Sequence, residues 1–225
     1  MNNDTYSAYK KQSLFDKAAL HARSKMYKML DKEFPLEDLS SILDVGVTAD
    51  KTMTSSNFFE NLYPHPDRIT AFSDQDASWM TMGDSGIKFI QGNALNMPFK
   101  DDSFDLVFSS AVIEHVGSRE NQRQFLQECI RVSKKFIFIT TPNKYYPIEL
   151  HTALPLLHWL PPKCYRYILN LIGKQFFAKE DNLNLLSKND LVKLLYEIKF
   201  DRFQIKHIRF LGLKSNILLI ARKYD

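Results

Sequence analysis

The stretch Thr141-Pro142-Asn143-Lys144-Tyr145-Tyr146-Pro147-Ile148-Glu149-Leu150-His151-Thr152 concentrates groups able to move protons. Glu149 and His151 lie two residues apart beside two tyrosines. In an extended segment they would face the same side. That pairing suits a carboxylate orienting an imidazole base, or a polar grip on a polyhydroxylated acceptor. A second imidazole, His115, follows Val112-Ile113-Glu114. Its ordinary pKa near neutrality fits a general base for an acceptor hydroxyl, although a histidine that merely fixes a turn reads the same way. Upstream stand Asp44 with Gly46, the run Asp74-Gln75-Asp76, and Gly92-Asn93-Ala94-Leu95. These are a close-approach glycine and several acceptors of the kind a polar, hydroxylated ligand needs.

The elements that must position these groups are legible from the apolar pattern. Ile42 to Val45 is a short continuous apolar run, as expected of a strand buried on both faces. Arg68 to Ser73, Ile87 to Gln91, Phe104 to Ser109 and Phe136 to Thr141 continue the series, the last stopped by Pro142. Helical spacing marks Ser13 to Leu30, Thr54 to Leu62 with Thr54 or Ser55 as cap, Asp76 to Met82, and Arg119 to Val132. Ser187 with Asp190 three residues on caps a helix to Tyr196. Phe203 to Phe210 and Ser215 to Ala221 close the chain as two strands joined through Gly212. Strands alternating with helices predict a doubly wound parallel sheet, whose carboxyl edge is the ligand side. Pro147 to Asn182 is rich in aromatics, histidine and proline, and is expected to lie over that edge as an acceptor pocket or lid.

The order Ser41-Ile42-Leu43-Asp44-Val45-Gly46, then Phe89 to Phe99, then Ser103 to Val116, resembles the class I S-adenosylmethionine-dependent methyltransferases, in particular the small type-11 group. The resemblance covers about Ser41 to Pro142. It implies one methyltransferase domain over residues 1–225, with a helical segment at 1–40 and an insert or lid at 143–186. It implies a Rossmann-like, mostly parallel seven-stranded sheet ending in an antiparallel hairpin. The implied cofactor is S-adenosylmethionine. Asp44 would help place its methionyl amino group, with Gly46, Val47 and Thr48 forming the loop around it. Asp74, Gln75 or Asp76 would accept from the ribose hydroxyls, with Asp74 favoured. Asn93, where the family has an acid, would meet the adenine amino group, with Ala94 and Leu95 beside it. Ser110 and Ala111 would lie beneath the sulfonium. The family's loop has glycine at three alternating positions, whereas Gly46-Val47-Thr48-Ala49-Asp50 keeps only the first.

The 225 residues suffice for one sizeable core, with 44% apolar and 25% charged residues. A net charge of +4, from 30 basic and 26 acidic residues with no basic run, argues against nucleic acid. Cys129 and Cys164 have neither metal nor disulfide spacing; a reduced cytoplasmic protein without a metal site is expected. Met1 to Gln12 lacks the apolar centre of a signal peptide, and no apolar stretch has the length of a membrane span. Three readings compete. The first is O-methylation of a small molecule or saccharide, the Thr141 to Pro161 stretch resembling a subgroup often associated with surface-polysaccharide synthesis. The second is methylation of a lipid-linked or isoprenoid acceptor at a membrane surface, with Leu154 to Phe177 in peripheral contact. The third is a non-catalytic nucleoside-binding module. The oligomeric state is open.

Overall fold

In the computed structural model, which describes residues 14–50 and 56–224, side-chain alternation along the strands divides the core into two layers. On one face Leu43, Val45, Val107, Ile137, Ile139, Ile217 and Leu219 pack against Phe125, Leu126, Cys129, Leu191 and Leu194. On the other Ile42, Ile69, Leu106, Phe108, Phe138 and Leu218 pack against Met26, Leu30, Phe34, Phe58 and Phe59. Successive residues of a strand point to opposite faces, so a continuously apolar strand must be covered on both. The covering elements are α1 (Leu14–Glu33) and α2 (Phe58–Leu62) on one side, and α3 (Arg119–Val132) and α5 (Lys188–Glu197) on the other.

The strands are β1 (Ile42–Val45), β2 (Ile69–Ser73), β3 (Lys88–Gln91), β4 (Phe104–Ser110), β5 (Ser133–Pro142), β8 (Phe203–Phe210) and β9 (Leu213–Arg222). They form one seven-stranded sheet in the order β3-β2-β1-β4-β5-β9-β8. The first five are mutually parallel, and β9 runs antiparallel to both β5 and β8. The expected doubly wound sheet with a terminal hairpin is therefore the observed one. Leu211 and Gly212 make the hairpin's tight turn, both at positive φ (50° and 79°), the conformation two-residue hairpin loops require. Strand order reverses at β1, which pairs with β2 on one side and β4 on the other, and ligands of such sheets sit at that switch.

Local expectations fared unevenly. Ser187 and Asp190 form a reciprocal capping box on α5, as their spacing predicts. The helix expected over Asp76 to Met82 is instead a single 3-10 turn, Ser78–Thr81. Of the helix expected from Thr54 to Leu62, the described residues form α2, preceded by Asn57 at a φ of 49°; Thr54 and Ser55 lie outside the described residues. Cys164, whose Pro161-Pro162-Lys163 context looks loop-like in the sequence, lies on α4 (Pro162–Leu171), where Pro162 pre-sets the first helical φ. The insert carries a two-stranded pair, β6 (Ile148–Glu149) and β7 (Leu154–Pro155), and α4 has its own small core of Tyr165, Leu169 and Ala178.

Candidate functional site

A cavity of about 830 Å³ opens at the carboxyl edge of β1, β2 and β4. Asp44, Gly46, Val47, Thr48, Asp74, Gln75, Asn93, Ala94, Leu95, Ser110 and Ala111 all line it. His115 and His151 line it from the insert side. Asp76 is not on this wall. Its carboxylate accepts from the Ser78 amide at 3.0 Å and starts the following turn, which also holds it below its ordinary pKa. Glu149 also stands off the cavity, buried behind His151.

Gly46 has a φ of 92°, and a Cβ there would stand 2.1 Å from Val112 Cγ2. Its amide donates to the Phe72 carbonyl at 2.7 Å, which pins the turn against β2. The two family glycines missing after Gly46 are replaced by a side-chain clamp. Asn57 accepts from the Thr48 amide and donates to the Thr48 carbonyl, both at 2.9 Å. A backbone that glycines would leave supple is held here by one amide side chain.

Beneath the loop lies a group the sequence did not single out. Glu60, on α2, is buried next to Asp44, and neither of its carboxylate oxygens finds a hydrogen-bond partner in the geometry. Burial raises Asp44 well above its ordinary pKa, and the neighbouring Glu60 adds to the rise. Glu60 is raised too, by burial. Arg23 Nη1 is likewise buried without a partner, and its guanidinium lies 5.7 Å from the centre of the Phe58 ring. Two buried carboxyl groups facing a cavity form a receptor for an ammonium group, which would satisfy both. The only sequence signal for Glu60 was a lone acid following two buried phenylalanines.

The insert side holds a tighter cluster. Glu149 ends β6, and the chain then turns instead of extending, so the expected same-side pairing arises differently. Glu149 Oε1 accepts from both the His151 amide (2.9 Å) and His151 Nδ1 (2.6 Å), while Oε2 accepts from the Thr152 amide (2.6 Å). Burial alone would raise Glu149, but these donors and the His151 ring hold it at about 2. For His151, burial lowers the pKa, yet Glu149 and the charge of Glu114 prevail and raise it. His115 Nδ1 meets the Asn182 carbonyl at 2.6 Å, and its Nε2 stands 3.0 Å from His151 Nε2. Glu114, fully buried, accepts from Thr141 Oγ1 at 2.9 Å. Its other oxygen has no partner. Glu114 was passed over in the sequence because a buried acid and an exposed one look alike there. Gln122 Nε2 and the Asn184 amide lock this corner by bonding the Asn184 and Glu114 carbonyls, each at 2.7 Å.

The S-adenosylmethionine that the fold implies fits these residues. The acid pair matches a methionyl ammonium, Asp74 and Gln75 border the mouth at the end of β2, and Asn93 stands at the end of β3.

Residues 63–136 match the type-11 family described as a methyltransferase domain. Over 153 residues, 59% of each sequence, the chain is 28% identical to the ubiquinone/menaquinone biosynthesis C-methyltransferase of Hahella chejuensis. The chain spans between 15% and 59% of the length of the curated relatives it matches. An S-adenosylmethionine-dependent methyltransferase structure from Thermotoga maritima superposes with a TM-score of 0.58 at 15% identity, covering 97% of this chain and 96% of that one. The N-methyltransferase NodS of Bradyrhizobium japonicum, solved with S-adenosylhomocysteine, gives a TM-score of 0.54 at 14% identity, with 89% and 86% covered. The family match runs from β2 to the start of β5, and the fold of S-adenosylmethionine-dependent methyltransferases extends over nearly the whole described chain.

Proposed function

We propose that the protein transfers a methyl group from S-adenosylmethionine to a hydroxyl of a small-molecule or saccharide acceptor. The observation that carries this reading is one cavity shared by two chemically different sets of residues. Asp44, Gly46 and Asn93 line it, and so does the His115–His151 pair. Bound S-adenosylmethionine supplies an activated methyl group on a sulfonium, open to in-line displacement. The chain's residues then have two tasks, positioning and proton handling. The Asp44–Glu60 pair and the Thr48–Asn57 clamp anchor the donor end, with Asp74 on the ribose side. Alignment of this kind can supply several kcal/mol of a displacement barrier. A hydroxyl must also lose its proton. Glu149 engages His151 Nδ1 and so leaves Nε2, 3.0 Å from His115 Nε2, as the atom to take a proton, an arrangement that orients a base.

The test is calorimetric titration with S-adenosylhomocysteine, followed by turnover on candidate acceptors. His151→Ala is expected to lower turnover about 100-fold or more while leaving S-adenosylhomocysteine affinity within about twofold. Full turnover in His115→Ala, His151→Ala and the double variant would remove the proton-handling role. Failure of the unaltered protein to bind S-adenosylhomocysteine would favour a different ligand on the same fold.

A second reading has its own observation. Leu150, Leu156, Trp159, Tyr167, Leu171, Ile172 and Phe176 are exposed large apolar side chains of the insert. Exposed apolar side chains of this kind suit a lipid-linked acceptor met at a bilayer surface. Among the described residues no helix is long and apolar enough to cross a membrane. Flotation with liposomes separates the two: co-flotation, lost on Phe176→Asp with Leu171→Asp, supports the lipid-linked acceptor, and its absence supports the soluble one.

A further inference from the structure

The corner formed by Glu114, His115 and His151 contains a problem of charge. His115 Nδ1 stands 2.6 Å from a carbonyl oxygen and His151 Nδ1 2.6 Å from a carboxylate oxygen. Both partners only accept, so both Nδ1 atoms carry the ring proton. In neutral rings each Nε2 then holds a lone pair, and these two lone pairs face each other at 3.0 Å. The unpartnered Oε1 of the fully buried Glu114 faces the same point, 4.0 Å from His115 Nε2 and 3.9 Å from His151 Nε2. In that state three electron-rich atoms converge on one spot, an arrangement that a cation, or a proton shared between the rings, would satisfy.

We propose that Glu114, His115 and His151 bind a divalent first-row transition cation such as Zn²⁺, at the acceptor end of the cavity. Two imidazole nitrogens each about 2.1 Å from one ion lie about 3.4 Å apart at a tetrahedral angle and about 3.0 Å apart at a right angle, so the 3.0 Å found fits a five- or six-coordinate ion as it stands and a tetrahedral one after a shift of roughly 0.4 Å. A shift of Glu114 Oε1 by roughly 1 Å completes the set. Two histidines and one carboxylate are borderline ligands that suit zinc, iron or manganese, and three protein ligands leave positions open for a substrate. The surroundings are those of a built site. Metal-binding histidines typically donate their second ring N–H to a carboxylate or carbonyl, as His151 and His115 do to Glu149 and Asn182. Glu114 is steadied by the Thr141 hydroxyl, and Glu149 by two backbone amides. Chain spacing gave no hint of this set, because β5 and the turn after β6 separate His115 from His151.

The ion's role, though not its binding, rests on the methyltransferase reading, and with both Nε2 atoms on the ion it is the ion, in place of the His151 imidazole, that would free the hydroxyl of its proton. Its open positions face the cavity, where an acceptor hydroxyl oxygen would coordinate. Coordination weakens the O–H bond, and the proton leaves to solvent. The oxygen's electron pair then forms the O–CH₃ bond as the S–CH₃ bond breaks, and the sulfonium becomes a neutral thioether.

The experiment uses the full chain, stripped with chelator and titrated by calorimetry with ZnCl₂ and MnCl₂, with MgCl₂ as an oxygen-preferring comparison. S-adenosylhomocysteine affinity and thermal unfolding are measured on each sample. One Zn²⁺ per chain is expected, bound far more tightly than Mg²⁺. Glu114→Gln and His151→Ala should each weaken Zn²⁺ by about 100-fold, and Glu149→Gln, which touches no ion, by about 10- to 100-fold. Cooperative unfolding and unchanged S-adenosylhomocysteine affinity in these variants show that the loss is local. Protein that binds S-adenosylhomocysteine but no Zn²⁺ at millimolar concentration overturns the proposal and leaves a shared proton between the rings. Zn²⁺ binding that survives all three substitutions overturns it equally. Zn²⁺ binding without S-adenosylhomocysteine binding sustains the metal site and sinks the methyltransferase reading instead.

Discussion

Asp44 and Glu60 illustrate how a side chain can be placed against its own preference. Two buried carboxyl groups beside one another cost stability unless a cation joins them. The sign follows from the raised pKa of Asp44. The folded chain holds a proton that the unfolded chain has released, so this pair subtracts stability as pH rises above the ordinary carboxylate range. Glu60→Gln should therefore raise the melting temperature of the ligand-free protein at pH 7 by a few degrees, about 1 kcal/mol. The same change should weaken S-adenosylhomocysteine by about tenfold or more, as one partner of the ammonium is lost. Calorimetry in buffers of different ionisation enthalpy should show protons released on binding. Gly46→Ala tests a position with no room for a side chain. Its Cβ meets Val112 and its φ is positive, so a loss of about 2 kcal/mol or more is expected in urea unfolding.

Elements here are tied to one another by single polar groups at their ends. Asp105 near the start of β4 accepts from the Ser40 amide (2.9 Å) and hydroxyl (2.6 Å) and pairs with Lys135 at 3.0 Å, joining the entry to β1 with β4 and β5. Burial works against its charge, yet these donors hold its pKa at about 2. A depressed acid contributes stability above its unfolded pKa near 4, and that contribution fades as pH falls through about 2. Asp105→Asn should cost about 2 kcal/mol at pH 7 and almost nothing at pH 2, as read from denaturant midpoints at the two pH values. Asn57 does the equivalent work for the loop after β1. Asn57→Ala should loosen that loop and weaken S-adenosylhomocysteine about tenfold while leaving the sheet intact by circular dichroism.

On the scale of the whole molecule, the sheet and the insert are unequal partners. Two large apolar layers grip β1, β4, β5 and β9 from both faces, whereas α4 rests on a core of three buried residues. The insert is attached through the 182–186 segment, where Asn184 binds the Glu114 and Gly117 backbone and Leu186 bridges to Asn143. Regions with few buried apolar contacts open at lower free energy. Amide exchange, measured by mass spectrometry, should therefore be faster in residues 156–180 than in β4 and β5. Zn²⁺, if held as proposed, should slow exchange around His115 and His151 selectively, because it would join the insert to the sheet's edge.

Much of this was written in local pattern. Mostly apolar runs, the first ended by Gly46 and the last of the parallel series by Pro142, marked the strands, because a strand covered on both faces is built chiefly from apolar residues. Ser187 and Asp190 announced α5, since a cap needs only three residues of context. Asp44, Gly46, Asp74 and Asn93 could be found because each sits where a strand ends, a position defined along the chain. Asp76 could not be separated from Asp74, as the choice between capping Ser78 and facing the cavity is made by one backbone turn. Glu60 and Glu114 were hidden for a different reason. Their burial, and the meeting of Glu114 with His115 and His151, depend on segments far apart in sequence folding over one sheet edge. Local propensity sets elements, but long-range packing alone decides which polar groups lose their water and which charges must then find each other.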